Sequence, residues 1–262
     1  MGKLLEVRNL TKKYYAGTIE SRAVDNINLE VDEQEFVIIM GASGSGKTSL
    51  LHLIAGIDHF DEGTIRYKDV DFGHMGEKAK AVFRRTNIGI VFQQHCLIPD
   101  LTVYENIMLP MMLNRRRRKE KEPDSMKDTI LKLCGQVGLG EHVGKYPSQL
   151  SGGQQQRAAI LRSIINKPPL LLCDEPTGSL NSAQTDIVMK LLNILNQKGQ
   201  TIVLVTHDIK VAVRGKRVVY MKDGRIGDEL SFSKTRGDKI GQTEVYQHRE
   251  EELMNYLQKR GW

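Results

Sequence analysis

The chain has 262 residues, a length that suits one large α/β domain or one domain carrying an inserted subdomain. Its 38 Lys and Arg against 32 Asp and Glu give a formal net charge of +6, which suits nucleic acid or an anionic membrane surface as a partner. No apolar run approaches the ~18–20 residues of a membrane-spanning helix and the first residues lack a signal-peptide core, so we expect a chain that does not cross a membrane by itself.

The predicted elements begin with extended segments over 4–9 and 23–31, followed by a strand over 36–40 and a helix over 49–55. Later strands are predicted where short apolar or β-branched runs occur, namely 88–92, 170–173, 202–205 and 218–221. Helical patterns lie between them, the clearest being an apolar stripe over 187–195. This alternation predicts an α/β fold with a parallel sheet and helices on its faces.

Two regions depart from the alternation. Residues from about 97 to 165 contain no convincing strand and predict a helical insertion. The tail after about Arg225 is polar and ends in a predicted amphipathic helix around 250–259.

A glycine-rich segment follows the third strand and matches the pattern G-x-x-x-x-G-K-[ST]. Its glycines let backbone N–H groups turn inward around phosphate, while Lys47 reaches the β- and γ-phosphates and the Thr48 hydroxyl binds Mg²⁺. A chance glycine-rich turn is the alternative, and the flanking strand and helix make it the weaker one. The residues expected to bind the nucleotide here are Gly41, Ala42, Ser43, Gly44, Ser45, Gly46, Lys47, Thr48 and Ser49.

An acidic pair, Asp174 and Glu175, ends the apolar run that begins at Leu170. Asp174 is placed to hold Mg²⁺, and Glu175 can accept a proton from an attacking water. A helix-capping acidic pair before Pro176 is the alternative, and the glycine-rich segment favours the catalytic interpretation.

Two further strand ends carry polar side chains, Gln93 and His207. Ligands collect at the carboxyl ends of the strands of a parallel sheet, so we expect these residues to join the phosphate loop and the acidic pair in one site. Gln94 could take the place of Gln93 by a shift of register, and a lone histidine after a strand is usually a turn residue.

The segment Leu150-Ser151-Gly152-Gly153-Gln154 precedes a helix predicted over 155–165. A Ser-Gly-Gly before a helix forms a second anion-binding N-terminus. Since residues 41–48 already bind the phosphates within the same chain, this second N-terminus could bind a nucleotide held by another copy of the chain. The alternative is a helix cap that binds no ligand.

Together these motifs resemble the nucleotide-binding subunit of an ABC transporter over about residues 3–228. The resemblance implies a P-loop NTPase (RecA-like) core with an antiparallel β subdomain and an inserted α-helical subdomain at about 97–165, and it leaves 229–262 as a C-terminal extension. It also implies an ATPase that binds ATP and Mg²⁺ and forms a head-to-tail dimer.

The resemblance assigns roles residue by residue. Ser151, Gly152, Gly153 and Gln154 would form the signature that contacts the γ-phosphate in trans. Gln93 would sense Mg²⁺ and the attacking water, joining Thr48 and Asp174 as a metal contact, and His207 would be the switch histidine. Catalysis would rest on Glu175, His207, Lys47 and Gln93. Tyr14 would stack on adenine, although the neighbouring Tyr15 could take that role and a strand-edge tyrosine without a ligand is possible for both.

Within the superfamily, the runs over 91–94, 101–107 and 150–157 are most similar to the group that handles lipoprotein release, macrolide efflux and antimicrobial-peptide resistance. The resemblance implies a separate membrane permease as partner and a peripheral location on the cytoplasmic face of the cell membrane. Three methionines after Gln93 could supply an adaptable docking surface or could be subdomain core: Met108, Met111 and Met112.

Two residues depart from the family pattern, since Asn181 replaces a common Asp in an interface loop and Gln34 replaces a turn glycine. The competing class is an ABC-type ATPase that acts on nucleic acid or ribosomes. Against it, the chain has one set of motifs, no room for a long coiled coil between Lys47 and Ser151, and no stacking aromatics beside its basic run at 115–119. We therefore expect no nucleic-acid partner.

Overall fold

A computed structural model describes residues 2–17, 19–115, 123–232 and 242–259, and the chain forms two compact units in it. Unit 1 comprises residues 1–75 and 201–262, and unit 2 comprises residues 76–200. In the described ranges no helix is both long enough and apolar enough to span a bilayer.

The strands of the described ranges are β1 (Lys3–Ala16), β2 (Ile19–Asp32), β3 (Phe36–Met40), β4 (Glu62–Tyr67), β5 (Val70–Asp71), β6 (Ile88–Val91), β7 (Leu170–Asp174), β8 (Thr201–Thr206), β9 (Arg217–Lys222) and β10 (Arg225–Ser231). The helices are α1 (Lys47–Ala55), α2 (Glu77–Asn87), α3 (Val103–Arg115), α4 (Pro123–Gln136), α5 (Gly152–Ile164), α6 (Ser182–Gln197), α7 (Ile209–Ala212) and α8 (Gln242–Gln258). Short 3-10 turns span Gly140–His142 and Pro147–Gln149.

Unit 1 contains an antiparallel sheet with the strand order β2-β1-β4-β5. Buried residues of β1 lie opposite buried apolar residues of β2, the pairs being Leu5 with Val31, Val7 with Leu29 and Leu10 with Ile27. Leu5 and Val7 keep the alternation that a sheet with one buried face requires, and a register shift separates Val7 from Leu10. Both strands run further than the segments predicted from apolar residues, because their outer ends pair without a continuous apolar pattern, as in Lys13 with Arg22 and Tyr15 with Glu20.

A second sheet in unit 1 has the order β10-β9-β3-β8, with β3 parallel to both β8 and β9. All five residues of β3 are buried. A strand that is buried on both faces appears in the sequence as a continuous apolar run. For this reason the positions of β3, β8 and β9 could be predicted.

Unit 2 contains the parallel pair β6 and β7 together with α2 to α6. Within 97–165 the described residues form helices and turns around one apolar cluster, whose buried members are Val103, Ile107, Ile130, Cys134, Leu139, Leu150, Ala158, Leu161 and Ile165. Met108 and Met111 pack against this cluster, whereas Met112 is 49% exposed. Two of the three methionines are therefore partly buried against the subdomain core.

The tail after Arg225 differs from the prediction. It forms β10, which pairs with β9, and α8 begins at Gln242, about eight residues before the predicted start. Strand β10 is mostly exposed and polar, so pairing with β9 is the interaction that makes it a strand. The first turns of α8 are polar as well. The basic run at 115–119 lies mostly outside the described residues.

Candidate active site

The phosphate loop begins where the buried strand β3 ends and continues to the start of α1. Gly44 and Gly46 have left-handed backbones, with φ of 80° and 96°. A Cβ on Gly46 would lie 1.9 Å from the Ala23 carbonyl oxygen, so a glycine is required there on grounds of space as well as backbone conformation. The loop therefore presents main-chain N–H groups at a helix N-terminus, which is an anion-binding arrangement.

Lys47 is buried, with 5% of its surface exposed, and is the first residue of α1. Its Nζ donates hydrogen bonds to the carbonyl oxygens of Gly41 at 2.9 Å and Ala42 at 2.6 Å. These bonds hold the ammonium group against the loop. Helix α1 starts two residues before the predicted Ser49, and Thr48 is exposed beside Lys47.

His207 leaves β8 at the same edge of the sheet as the phosphate loop leaves β3. The two strands pair in parallel, with Met40 opposite Thr206, so Gly41 and His207 follow paired residues. His207 is exposed, and Asp208 after it caps α7 by accepting a hydrogen bond from the Lys210 N–H at 2.7 Å. The structure thus brings the predicted phosphate loop and the predicted histidine together within unit 1.

Tyr14 and Tyr15 both lie on β1, and both are exposed, by 44% and 64%. The Tyr14 hydroxyl donates to Asp58 Oδ2 at 2.7 Å, and Lys12 Nζ lies 4.9 Å from its ring centroid. Burial of the hydroxyl and the bond to Asp58 raise the pKa of Tyr14. Asp58 and Lys12, which set the orientation of this ring, are residues that the sequence analysis missed; they lie 44 and two positions from Tyr14 and belong to no motif.

In unit 2, the polar residues Gln93, Asp174 and Glu175 follow the paired strands β6 and β7, in which Val91 lies opposite Cys173. Asp174 is only 8% exposed. A Cβ on Gly178 would lie 2.9 Å from Gln93 Nε2 and 3.3 Å from Glu175 Oε2. The ends of both side chains therefore lie against Gly178, and the structure brings Gln93 and Glu175 together.

Glu175 has a left-handed backbone, with φ of 43°. This conformation is uncommon for a residue with a side chain and is often found at functional sites. The direction of the Glu175 side chain is therefore set by its backbone conformation as well as by its contacts with neighbouring residues.

The signature segment forms the start of α5, which begins at Gly152 and not at Gln155 as predicted. Ser151 is the N-cap, and a reciprocal capping box explains the earlier start: the Gln154 N–H donates to Ser151 Oγ at 3.4 Å and the Ser151 N–H donates to Gln154 Oε1 at 2.8 Å. Gly153 is buried against Gln184, which would lie 3.0 Å from an added Cβ. Ser151 is exposed at this N-terminus.

The loop after Gln93 is tied to the signature helix by contacts that the sequence analysis missed. His95 Nδ1 contacts Gln156 Oε1, and Arg162 donates to the carbonyl oxygens of Cys96 at 2.6 Å and His95 at 3.1 Å. His95 and Cys96 both have positive φ. Partners this far apart along the chain, with no motif in common, leave no local signal.

The predicted site residues are distributed over both units. Unit 1 carries the phosphate loop, His207 and Tyr14, and unit 2 carries Gln93, the acidic pair and the signature. Their assembly into one site stays a prediction.

Comparison with known proteins agrees with these motifs. The family model described as ABC transporter matches residues 24–178. Two uncharacterized ABC transporter ATP-binding proteins of Methanocaldococcus jannaschii are similar along most of the chain. MJ1508 is 42% identical, covering 85% of this chain and 97% of the relative, and MJ0796 is 41% identical, covering 86% and 96%.

Solved structures give the same result. The dimeric structure of MJ0796 in a post-hydrolysis state with ADP and Pi has a TM-score of 0.82 at 39% identity, covering 88% of this chain and all of that chain. The CbiO1 protein of Clostridium perfringens, part of the transporter complex CbiONQ, has a TM-score of 0.76 at 26% identity, covering 88% and 89%. The predicted P-loop NTPase fold class is confirmed. The chain belongs to the ABC transporter family and is one of its ATPase cassettes.

Proposed function

We propose that this chain binds MgATP and hydrolyses it as one half of a head-to-tail dimer that drives a separate membrane permease. The observation that carries the proposal is the phosphate loop with Lys47 held against it by two loop carbonyls. The relatives named above support the transporter interpretation over an ATPase that acts on nucleic acid or ribosomes, because they and the family model are named for transporters.

The side chains present fit a nucleotide with Mg²⁺. Thr48 and Asp174 offer hydroxyl and carboxylate oxygens, the ligands that Mg²⁺ prefers, with Gln93 as a further oxygen donor. Magnesium at nucleotide sites usually takes only one or two protein ligands and completes its shell with phosphate oxygens and water. When bound, the ion would neutralise negative charge on the phosphates.

The remaining chemistry belongs to the chain's own residues. Glu175 accepts a proton from the attacking water, and Gln93, which shares the surface of Gly178 with it, orients that water. Lys47 and His207 donate to the phosphate oxygens on which charge develops. Because phosphoryl transfer needs little covalent chemistry from the protein, positioning and electrostatics provide most of the catalysis.

The signature completes the site in trans. Ser151 is exposed at the N-terminus of α5, which spans 13 residues, and Gly153 lets the first turn pack closely on Gln184. A helix N-terminus of this kind attracts an anion. The same chain already has a phosphate loop, so this second cradle serves the nucleotide of a partner copy, and MJ0796 is known as a dimer.

Replacing Glu175 by Gln tests the assignment of the general base. We expect Glu175→Gln to bind ATP, accumulate as a dimer and show negligible turnover, because the amide keeps the shape of the carboxylate but takes up no proton. Phosphate release and gel filtration with MgATP measure both effects. Asp186→Gln, a change of a carboxylate in α6 outside the motifs, is the control. Wild-type turnover in Glu175→Gln would show that another group is the base.

We assign the contact with the permease to a groove of unit 2 that lies between α2, α3 and the end of α5. Apolar and basic side chains line it together, among them Arg84, Arg85, Leu109, Leu113 and Arg162. Arg85 also donates to the Leu113 carbonyl oxygen at 3.3 Å. Such a groove suits a short amphipathic segment of a membrane protein. It would place the chain at the cytoplasmic face of the membrane, with export or mechanical removal of a peptide, antibiotic or lipoprotein as the transport function.

Purification from detergent-solubilised membranes tests this partner. We expect the tagged wild-type chain to retain a permease and Leu113→Glu to lose it, because a carboxylate would be placed on an apolar part of the groove. Ile194→Glu is the control, since Ile194 is exposed by 48% compared with 42% for Leu113 and lies outside the groove. Ribosomes or DNA retained in place of a permease would contradict the proposal.

A further inference from the structure

The C-terminal helix α8 is docked on α7, the short helix that follows His207. Its inward face repeats at helical spacing through Tyr246, Arg249, Leu253 and Leu257, and the two leucines are fully buried. Within unit 1, the tail thus packs next to the segment that carries His207, to which we have assigned a catalytic role.

Arg249 makes the polar contacts of this docking. Its Nη1 donates hydrogen bonds to the carbonyl oxygens of Val213 and Gly215, both at 3.1 Å. Its guanidinium carbon lies 4.8 Å from the ring centroid of Phe232, which forms a cation–π contact beneath it. Burial lowers the pKa of Arg249, as expected for a charge partly removed from water. A guanidinium group remains charged under these conditions and keeps its donors.

The two carbonyls belong to the end of the segment that carries His207. Val213 directly follows α7, where backbone carbonyls lack helical partners and a basic side chain binds them well. At the other end, the Asp208 N–H donates to Thr206 Oγ1 at 3.0 Å, and Asp208 caps α7. The connection from β8 to β9 is therefore fixed at two points. Near His207 it is fixed by the hydrogen bonds of Asp208, and at its far end it is fixed by Arg249 of α8.

Tyr246 strengthens the attachment one turn earlier in α8. The guanidinium carbon of Arg214 lies 4.2 Å from its ring centroid, so the residue between the two bound carbonyls is also held by α8. Three successive residues, Val213 to Gly215, thus contact the same helix through their carbonyls or side chain.

We propose that Arg249 is a positioning residue for His207: by binding the carbonyls at the end of α7, it holds the segment that presents the histidine and so supports the hydrolytic step. The inference rests on the proposed role of His207. Its consequence is that the C-terminal helix is a control point, because any event that separates Arg249 from these carbonyls slows hydrolysis without weakening the binding of ATP.

Steady-state ATPase kinetics of the full-length chain test the proposal. We expect Arg249→Ala to lower kcat about tenfold while KM for ATP changes less than about twofold, because the phosphate loop is untouched. Arg249→Lys should recover much of the loss, since an ammonium can still donate to the carbonyls. Arg249→Met, which keeps the aliphatic part of the side chain but has no donor, replaces the alanine variant if that variant does not fold, and we expect the same loss of kcat. Unchanged kcat in folded Arg249→Ala would overturn the proposal.

Leu257→Ala is the matched control for simple loosening of α8. Leu257 is buried two turns beyond Arg249, and its truncation weakens packing but leaves the guanidinium in place. Below the melting temperature of both variants, we expect Leu257→Ala to turn over close to the wild-type rate. A loss as large as that of Arg249→Ala would overturn the assignment to the guanidinium.

A double-mutant cycle separates positioning from a merely structural role. His207→Ala should lose on the order of 100-fold in kcat, comparable to the removal of one transition-state donor. Adding Arg249→Ala to it should cost less than about twofold more, because no histidine remains to be positioned. Multiplicative losses would overturn the inference about Arg249. A loss of tenfold or less in His207→Ala alone would instead contradict the proposed role of His207, irrespective of the Arg249 results.

Discussion

Asn181 shows how a residue that departs from the family pattern can keep its structural role. It is the N-cap of α6, where its Oδ1 accepts a hydrogen bond from the Gln184 N–H at 2.9 Å. Asparagine and aspartate cap helices about equally well, because both provide an oxygen acceptor at the same position. The substitution therefore preserves the cap and removes only the negative charge.

Substitutions of Asn181 should separate these two contributions. We expect Asn181→Ala to lower the free energy of unfolding by about 1 kcal/mol through loss of the cap. Asn181→Asp should match the wild type or exceed it by about 0.3–1 kcal/mol, because a carboxylate at a helix N-terminus also interacts with the helix dipole. Urea unfolding measures both changes. Equal stability of the alanine variant and the wild type would show that the cap contributes nothing.

Some single-residue features could be predicted and others could not. The glycines of the phosphate loop are visible in the sequence because φ values such as 96° at Gly46 favour glycine. Glu175 and Gln34 also have left-handed backbones, at φ of 43° and 63°. Glutamate and glutamine do not favour this conformation, so it could not be predicted from the sequence. A distant residue stabilises the turn at Gln34, because the Gln34 N–H donates a hydrogen bond to Thr201 Oγ1 at 2.9 Å, 167 positions away in the sequence.

At the scale of elements, predictability follows the hydrophobic signal. Strands β3 and β7 are buried apolar runs and were predicted within a residue or two of their observed bounds. Helix α2 was missed because five of its 11 residues are charged and, of its side chains, only Lys80 is buried. Strand β10 was missed because its partner β9, and not its own composition, makes it a strand.

The reactivity of the three cysteines tests whether α4 and β7 are buried as the structure shows. Cys134 in α4 and Cys173 in β7 are buried and Cys96 is exposed. Burial raises the pKa of Cys134 to about 11 and that of Cys173 well above its usual value. Only the thiolate reacts, and buried thiols must first become accessible. We therefore expect one thiol per native chain to react with a disulfide reagent at pH 8, and three after unfolding in denaturant.

A Cys96→Ser variant provides the control for this experiment. It should show no fast-reacting thiol in the native state and two after unfolding. Fast reaction of a second thiol in the native wild type would mean that α4 or β7 opens readily.

At the scale of the whole molecule, the motifs were predictable and their long-range supports were not. The sequence identifies the phosphate loop, the acidic pair and the signature because each is a short pattern with its own chemistry. The bond between Tyr14 and Asp58 spans 44 positions and the contact between His95 and Gln156 spans 61. The hydrogen bond from Arg249 to the Val213 carbonyl oxygen is also a long-range contact, since it spans 36 positions and belongs to no motif.

The proposed head-to-tail dimer leads to a prediction about mixed subunits. In Lys47→Ala the phosphate loop loses its ammonium group but the signature is intact. In Ser151→Asp the loop is intact, and the aspartate can still cap α5 while its charge repels the triphosphate. Each variant alone should be inactive. In a mixed dimer, one site combines the intact loop of the second variant with the intact signature of the first.

Equal mixing should therefore restore ATP hydrolysis, to at most about a quarter of the wild-type rate, because half of the dimers are mixed and each has one good site. Phosphate release, measured as a function of the mixing ratio, should peak near equal amounts. Ser151→Asn, which caps the helix without a charge, is the control for the cap and should lose less activity than Ser151→Asp. A mixture no faster than the average of its two components would mean that each chain uses its own signature, and the assignment of Ser151 to the partner's nucleotide would be wrong.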